Sequence, residues 1–216
     1  MRALIFANGE LPYPNETRRL CRADDLIICA DGGARHALAL KLRPHLVVGD
    51  LDSIDPDTRA RLERIGSRFE THPTDKDATD LELALLAARR LGVDEALLLG
   101  GLGGRLDQTL GNLLLLASNT FSDLRLSLSD GIQTAWIVRE RLTVYGRPGD
   151  ILSVLALSPI VKGLTYHGGL RWLLHDFTLP FGSSRGISNQ MTAGQTTITL
   201  ESGILLVLHM PGTYPA

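Results

Sequence analysis

Two architectures are predicted in succession: an α/β half with a parallel, Rossmann-like sheet over residues 1–130, and an all-β half, a sandwich or flattened barrel, over residues 131–216. Three observations predict them. Up to about residue 130, short continuous apolar runs alternate with amphipathic segments, the pattern of a sheet buried on both faces. Beyond about residue 132 no segment keeps a helical period, and short alternating or β-branched stretches are divided by Gly, Pro, Asn and Ser. The 216 residues can bury a sizeable core, and 44% hydrophobic with 21% charged is the balance of a folded chain.

In chain order, ALIFA (3–7), LIICA (26–30), HLVVG (45–49) and EALLLGG (95–101) are predicted strands, because each is continuously apolar. Helices are predicted at about 16–22, 33–41, 56–65, 78–91 and 107–118. The clearest is ATDLELALLAARRLG, in which Leu81, Leu85 and Ala88 share a face and Gly92 is a stop signal. In the second half TAWIV, LTVYG, ILSVLAL, GLTYHGG, QTTITLESG and GILLVLHM have strand character. The boundary is predicted near Ser129-Asp130-Gly131.

Several classes are disfavoured at once. A net charge of −2 brings no basic excess to attract nucleic acid. Cys21 and Cys29 make neither a disulfide framework nor a CxxC metal spacing. The apolar run in MRALIFANGE is too short for a signal peptide or a membrane span. A cytoplasmic enzyme or binding protein is the expectation.

The chemistry concentrates at predicted strand ends, where open parallel sheets bind ligands. ADGGA (30–34) follows one strand, GDLDSI (49–54) another and GGLGGRLDQ (100–108) a third. In an extended Asp50-Leu51-Asp52 the two carboxylates point the same way and Leu51 turns into the core. Such a pair repels unless a cation compensates, and a hard ion such as Mg²⁺ suits oxygen ligands. The bland alternative has Asp52 capping a turn and Asp50 solvated. DKDATD (75–80) adds Asp75, Asp77 and Asp80, with Thr79 or Asp77 available as a helix cap and Asp80 in the first turn. Capping accounts for one acid and leaves the others to a metal and phosphate site.

GGLGGR is neither a Walker A motif nor a GxGxxG, since Leu106 stands at the final glycine position. Its glycines still let backbone N–H groups approach phosphate oxygens, and Arg105 offers a planar fork of donors. The alternative for Arg105 is an ion pair with Asp107. These parts suit phosphoryl-type transfer, which needs positioning and charge neutralisation more than a covalent nucleophile.

The order ADGGA, PHLVVGDLDSI, PTDKDATDLELAL and GGLGGRLDQTLGN, followed by GLRWLLHDFTLPFGSSRGISNQ (169–190) and GILLVL (203–208), resembles the thiamine pyrophosphokinases along nearly the whole chain. The resemblance implies an ATP-binding α/β domain, a C-terminal β domain for thiamine binding and dimerisation, and a homodimer with active sites at its interface. It also implies transfer of diphosphate from ATP to the hydroxyethyl group of thiamine, with Mg²⁺ and release of AMP. By motif, Asp50, Asp52 and Asp80 match the Mg²⁺-coordinating acids. Asp31, Asp77, Arg105, Asp107 and Gln108 match residues of the nucleotide and catalytic region, with Gly32, Gly33, Gly103 and Gly104 expected at the ATP. Trp172 matches an aromatic position for thiamine, and Ser188 and Asn189 a polar pair beside it. An acidic pocket with an indole face suits a cationic thiazolium.

Three positions depart from the pattern. Gly101 stands where many relatives have Ala, Gln108 where bacterial members often have His, and Leu173-Leu174 where Pro-Leu is more usual. The Gln108 amide is no general base at neutral pH, which leaves Asp107, Asp77 or no strong base. Two rival functions share these motifs: a diphosphokinase for another alcohol such as a hydroxymethylpterin, and a non-catalytic nucleotide or thiamine sensor.

Overall fold

The computed structural model describes residues 1–212, so residues 213–216 of the second expected domain lie outside the described residues. The chain divides into two compact units, Met1–Gly131 and Ile132–Ala216.

The first unit runs β1 (Arg2–Phe6), α1 (Pro14–Leu20), β2 (Leu26–Ala30), α2 (Ala34–Ala39), β3 (Leu46–Gly49) and α3 (Pro56–Arg64). It continues with β4 (Arg68–Thr71), α4 (Asp80–Arg90), β5 (Glu95–Leu99), α5 (Leu106–Ala117) and β6 (Arg125–Ser129). All six strands are parallel, in the order β6-β5-β1-β2-β3-β4. The chain winds outward from β1 to β4 and then returns to β5 on the other side of β1. A crevice is expected beyond the strand ends at that reversal, between β1 and β5.

The continuous apolar runs are explained by burial on both sides. Leu4, Phe6, Ile27, Cys29, Val47, Leu97 and Leu99 join Ala34, Ala37 and Leu38 of α2 and Leu62 of α3 in one cluster. The alternate residues Ala3, Ile5, Ile28, Val48 and Leu98 are equally buried, and α4 packs on β1, β2 and β3. Leu81, Leu85 and Ala88 of α4 are buried as their spacing predicts, together with Ala84 and Ala87. Of the two possible caps, Thr79 is the one used: its side chain accepts from the Glu82 N–H at 3.2 Å. Strands β4 (RFET) and β6 (RLSLS) were not anticipated, because neither carries a continuous apolar run.

Among the described residues the second unit has eight strands: β7 (Thr134–Val138), β8 (Arg141–Tyr145), β9 (Ile151–Ala156), β10 (Ile160–Tyr166), β11 (Phe177–Pro180), β12 (Asn189–Gln190), β13 (Gln195–Thr199) and β14 (Leu205–Met210). They pair antiparallel as β12-β9-β14-β7 and β11-β10-β13-β8. Both sets feed one core, with Leu152, Val154, Leu205 and Val207 from the first and Val144, Val161, Leu164, Leu179 and Ile198 from the second. β11 and the two-residue β12 are too short and too interrupted by Pro, Gly and Ser to be read from pattern.

Candidate active site

At the carboxyl ends of β1 and β5 the backbones continue to pair, Ala7 N to Leu99 O at 2.8 Å and Gly9 N to Gly100 O at 2.9 Å. Gly100 adopts φ +70°, and a Cβ there would lie 2.6 Å from the Ala7 carbonyl oxygen. Only glycine allows that approach. The next segment, Asn8-Gly9, is clamped from α2: Arg35 Nη2 donates to Asn8 O at 2.8 Å and Gly9 O at 3.1 Å, and His36 Nε2 donates to Gly9 O at 2.8 Å. Burial holds the His36 pKa below its usual value, although the hydrogen bond to Gly9 opposes this.

A cleft of about 700 Å³ opens at this point, lined by residues from five loops. Asp31 enters from the end of β2 in a single 3-10 turn, Asp31–Gly33, at φ 45°. It is buried, and its Oδ1 has no hydrogen-bond partner. Asp50 enters from the end of β3 and Asp52 from the following turn. Carboxylate oxygens of Asp31, Asp50 and Asp52 all lie within 4.8 Å of one another. Three such carboxylates, one of them buried with an unpartnered oxygen, match what a hard divalent cation requires.

The route by which Asp50 and Asp52 converge differs from the extended reading. Leu51 is at φ 66°, so the segment is a tight turn, with the Asp52 N–H donating to Asp50 Oδ1 at 3.3 Å. Leu51 is nonetheless buried in the core of the first unit, which anchors the turn. The Asp52 N–H bond lowers the Asp50 pKa, burial opposes it, and Lys76 lowers it further.

Asp80, at the start of α4, belongs beside this cluster rather than at its centre. Asp80 Oδ1 lies 2.9 Å from Lys76 Nζ, and the same ammonium reaches Asp50 Oδ2 at 3.3 Å. A Cβ on Gly49 would meet Asp31 Cβ and Asp80 Oδ1, each at 3.0 Å, so glycine is what lets those side chains close over β3. The structure thus brings Asp31 together with Asp50 and Asp52, and pairs Asp80, the third acid expected at the metal, with Lys76. Lys76 itself carried no sequence signal apart from the acids around it.

Arg105, Asp107 and Gln108 line the same cleft from the start of α5. The Arg105–Asp107 ion pair is formed, Nη2 to Oδ2 at 2.6 Å and Nε to Oδ1 at 3.1 Å, with both side chains exposed. That pairing holds the Asp107 carboxyl below its ordinary range and raises the Arg105 pKa. Asn112 donates to Gly101 O at 2.9 Å and ties the glycine loop to α5. At Gly101 an added Cβ would touch Leu128 Cδ1 at 3.0 Å, a contact that a small shift of a flexible side chain relieves, so alanine in relatives is compatible with this backbone.

Some expected residues are elsewhere. Gly32 and Gly33 are buried and outside the cleft lining: an added Cβ would lie 2.6 Å from Asn8 Oδ1 and 2.1 Å from Phe6 O, respectively. Glycine at both positions allows close packing against the end of β1 and the segment that follows it. Asp77 is exposed and does not line the cleft, to which the start of α4 contributes Asp80. Gly103 lines the cleft, whereas Gly104 lines an adjoining depression with Glu10 and Arg35.

The family model for "Thiamin pyrophosphokinase, catalytic domain" matches residues 17–128, and that for its vitamin B1 binding domain matches residues 140–205. The chain belongs to the thiamin pyrophosphokinase family. It is 28% identical to the thiamine pyrophosphokinase of Bacillus subtilis over 193 residues, covering 85% of this chain and 86% of that protein. It is 27% identical to thiamine pyrophosphokinase 2 of Oryza sativa over 233 aligned residues, with 96% and 86% covered. A crystal structure of the Bacillus subtilis protein superposes with a TM-score of 0.86 at 25% identity, covering 98% of this chain and 99% of that one. One from Geobacillus thermodenitrificans gives 0.82 at 25% identity, with 97% of each chain covered.

Within the stretch matched by the family's B1-binding model, the second unit has its own cleft of about 700 Å³, lined by Tyr166, Arg171, Trp172, Leu173, Leu174, Arg185, Ile187, Ser188 and Asn189. The three predicted thiamine residues therefore share one cavity. Their roles are distinct. Asn189 is buried and holds the backbone of Trp172, with Oδ1 accepting from Trp172 N at 3.1 Å and Nδ2 donating to Trp172 O at 2.7 Å. Its amide positions the indole. Ser188, at φ 61°, is exposed. Trp172 is 56% exposed, and the Arg171 guanidinium lies 4.9 Å from its ring centroid. Tyr166 went unnoticed in the sequence because a strand tyrosine reads as packing; it is buried and its hydroxyl has no partner.

Proposed function

We propose that the chain transfers the diphosphate group of ATP to the hydroxyethyl oxygen of thiamine, giving thiamine diphosphate and AMP. As a member of this family it is a transferase of the thiamine diphosphokinase class. The alcohol oxygen attacks the β-phosphorus, the bond from that phosphorus to the α,β-bridging oxygen breaks, and AMP leaves with that oxygen. The alcohol proton passes to a base or to water. The observation that carries this reading is the acid trio of Asp31, Asp50 and Asp52 in one cleft with the glycine loop and Arg105.

Phosphates approach the Gly100–Arg105 loop, and Arg105 exchanges its Asp107 partner for phosphate oxygens. Asp107 is then freed at the cleft, the better placed of the two aspartates considered as a base. Asp31, Asp50 and Asp52 would hold Mg²⁺, which supplies charge neutralisation at the diphosphate. In the second unit Trp172, held by Asn189, offers an indole face to the thiazolium, and Ser188 lies beside it. The match to a vitamin B1 binding domain favours thiamine over a pterin alcohol.

A homodimer with active sites at its interface is part of the reading. Leu106, Leu110 and Leu114 form an exposed stripe at i, i+4 and i+8 on α5, the helix that also carries Asp107 and Gln108. In the second unit Trp172 and Leu173 are exposed as well. We place the enzyme in the cytoplasm, where thiols such as Cys21 and Cys29 stay reduced; among the described residues no helix is long and apolar enough to cross a membrane.

The test is a product analysis with ATP, Mg²⁺ and thiamine. Thiamine diphosphate and AMP in equal amounts are expected. ADP with thiamine monophosphate would overturn diphosphoryl transfer, and turnover of a pterin alcohol in place of thiamine would overturn the acceptor.

A further inference from the structure

We propose that Lys76 is a resident counter-cation of the acid cleft: without a divalent ion its ammonium bridges Asp50 and Asp80, and an arriving ion displaces it toward the phosphates of the nucleotide. This rests on the reading of the acid trio as a divalent-cation site.

Four carboxylates, those of Asp31, Asp50, Asp52 and Asp80, close on one end of the cleft. Among the described residues Lys76 is the cation paired with any of them, at 3.3 Å from Asp50 Oδ2 and 2.9 Å from Asp80 Oδ1. Its side chain is 15% exposed, so the contact is poorly screened by water. The ammonium thus sits between two carboxylates, one from the end of β3 and one from the start of α4. One positive charge among four acids leaves Asp31 Oδ1 without a partner, and the contact with Asp80 Oδ1 is an ion pair without hydrogen-bond geometry.

An ammonium and a divalent ion cannot share this end of the cleft. Each seeks the Asp50 carboxylate, and two cations on one carboxylate repel strongly in a partly buried site. The divalent ion carries the greater charge and recruits the orphaned Asp31 oxygen as well. Lysine is suited to yield: it is a point charge on a flexible four-carbon stem with no fixed donor geometry. Its loop, residues 72–79, joins β4 to α4 at the same cleft, so the displaced ammonium remains near whatever phosphate the ion brings with it. The exchange would keep the cluster folded before loading and supply a positive charge to the phosphates after it.

The experiment uses full-length protein stripped with a chelator and titrated with Mn²⁺ alone, the free ion being followed by its electron paramagnetic resonance signal. Lys76→Gln is expected to bind Mn²⁺ about tenfold more tightly than the unmodified protein, the scale of one removed charge at a partly buried site. Lys76→Arg, which keeps the charge, is expected to bind no more tightly than the unmodified protein. Lys76→Met, which keeps the apolar stem, repeats the Gln result if the amide disturbs the fold. In saturating Mg²⁺, Lys76→Gln should also raise the KM for ATP several-fold while the KM for thiamine stays constant. Unchanged or weaker Mn²⁺ binding by Lys76→Gln and Lys76→Met, with binding lost in Asp52→Asn, overturns the role of Lys76 and leaves the metal site standing. Equal binding by Asp52→Asn and the unmodified protein overturns the metal site and this proposal with it. A KM for ATP that does not move overturns the transfer to phosphate.

Discussion

In the cleft of the first unit a lysine ammonium lies against two carboxylates; in that of the second an arginine guanidinium lies over an indole. Both are cations seated where a cationic ligand is expected, yet they are held by different forces. Lys76 is mostly buried and pairs with full charges. Arg171 faces the quadrupole of a half-exposed ring, an attraction worth about 0.5–1 kcal/mol at such sites. A singly charged thiazolium can compete with the second arrangement, whereas the first yields to a divalent ion. The shape of each cleft is maintained differently too. The first depends on close backbone approaches at Gly49 and Gly100, and the second on the Asn189 side chain clasping the backbone of Trp172. One site is organised by charge, the other by apolar surface on a hydrogen-bonded frame.

The largest effect that would break this contrast is expected at Asp52. Asp52→Asn removes one charge of the acid trio, and turnover to thiamine diphosphate should fall about a hundredfold or more, with circular dichroism unchanged because Asp52 is exposed. Near-full activity would show that charge does not organise the first cleft. A smaller effect is expected from Trp172→Ala: the KM for thiamine should rise about tenfold while the KM for ATP holds, the loss of a cation–π and apolar contact. Equal changes in both constants would mean that the two clefts do not divide the substrates.

The smallest effect concerns the frame of the second unit. Burial pushes the Asp150 pKa up, but N–H donors from Arg147 at 2.8 Å and Gly212 at 3.0 Å, with His209 Nε2 at 2.9 Å, outweigh it and hold it below the usual value. A depressed folded-state pKa stabilises above the unfolded value and is lost as pH falls through the folded one. Thermal melts between pH 6 and about pH 3 should therefore show the midpoint dropping below about pH 4. In Asp150→Asn the midpoint at pH 6 should be lower and this part of the acid dependence smaller. An unchanged acid dependence would remove Asp150 from the frame.

Much of this was legible before any coordinates. The runs LIICA, HLVVG and EALLL carry apolar residues at successive positions, which only burial on both sheet faces allows, and they contain the whole of β2, β3 and β5. The spacing of Leu81, Leu85 and Ala88 located α4, and Thr79 was one of two residues able to cap it. Strand β4 was hidden because RFET is polar, and β12 because two residues carry no period. At the site, the sequence placed Asp50, Asp52, Arg105, Asp107 and Gln108 at strand or helix ends, where the structure brings them to one cleft. Asp77 and the Gly32-Gly33 pair, expected there too, do not line the cleft, since an acid or a glycine beside a strand end looks the same whether it faces the crevice, the solvent or the neighbouring backbone.

By itself, then, the sequence determined the architecture of each half, the acidic and glycine-rich character of the strand ends and the family to which the chain belongs. These depend on local periodicity, turn chemistry and the order of motifs, all of which are written along one dimension. The tertiary structure decided which acids meet: Asp31 with Asp50 and Asp52, and Asp80 with Lys76. It also decided that Asn189 supports Trp172. Those outcomes depend on a left-handed turn at Leu51, on contacts across β3 and on a side chain 17 residues away reaching a backbone. Distances of that kind are set by how the elements pack, and spacing along the chain does not encode them.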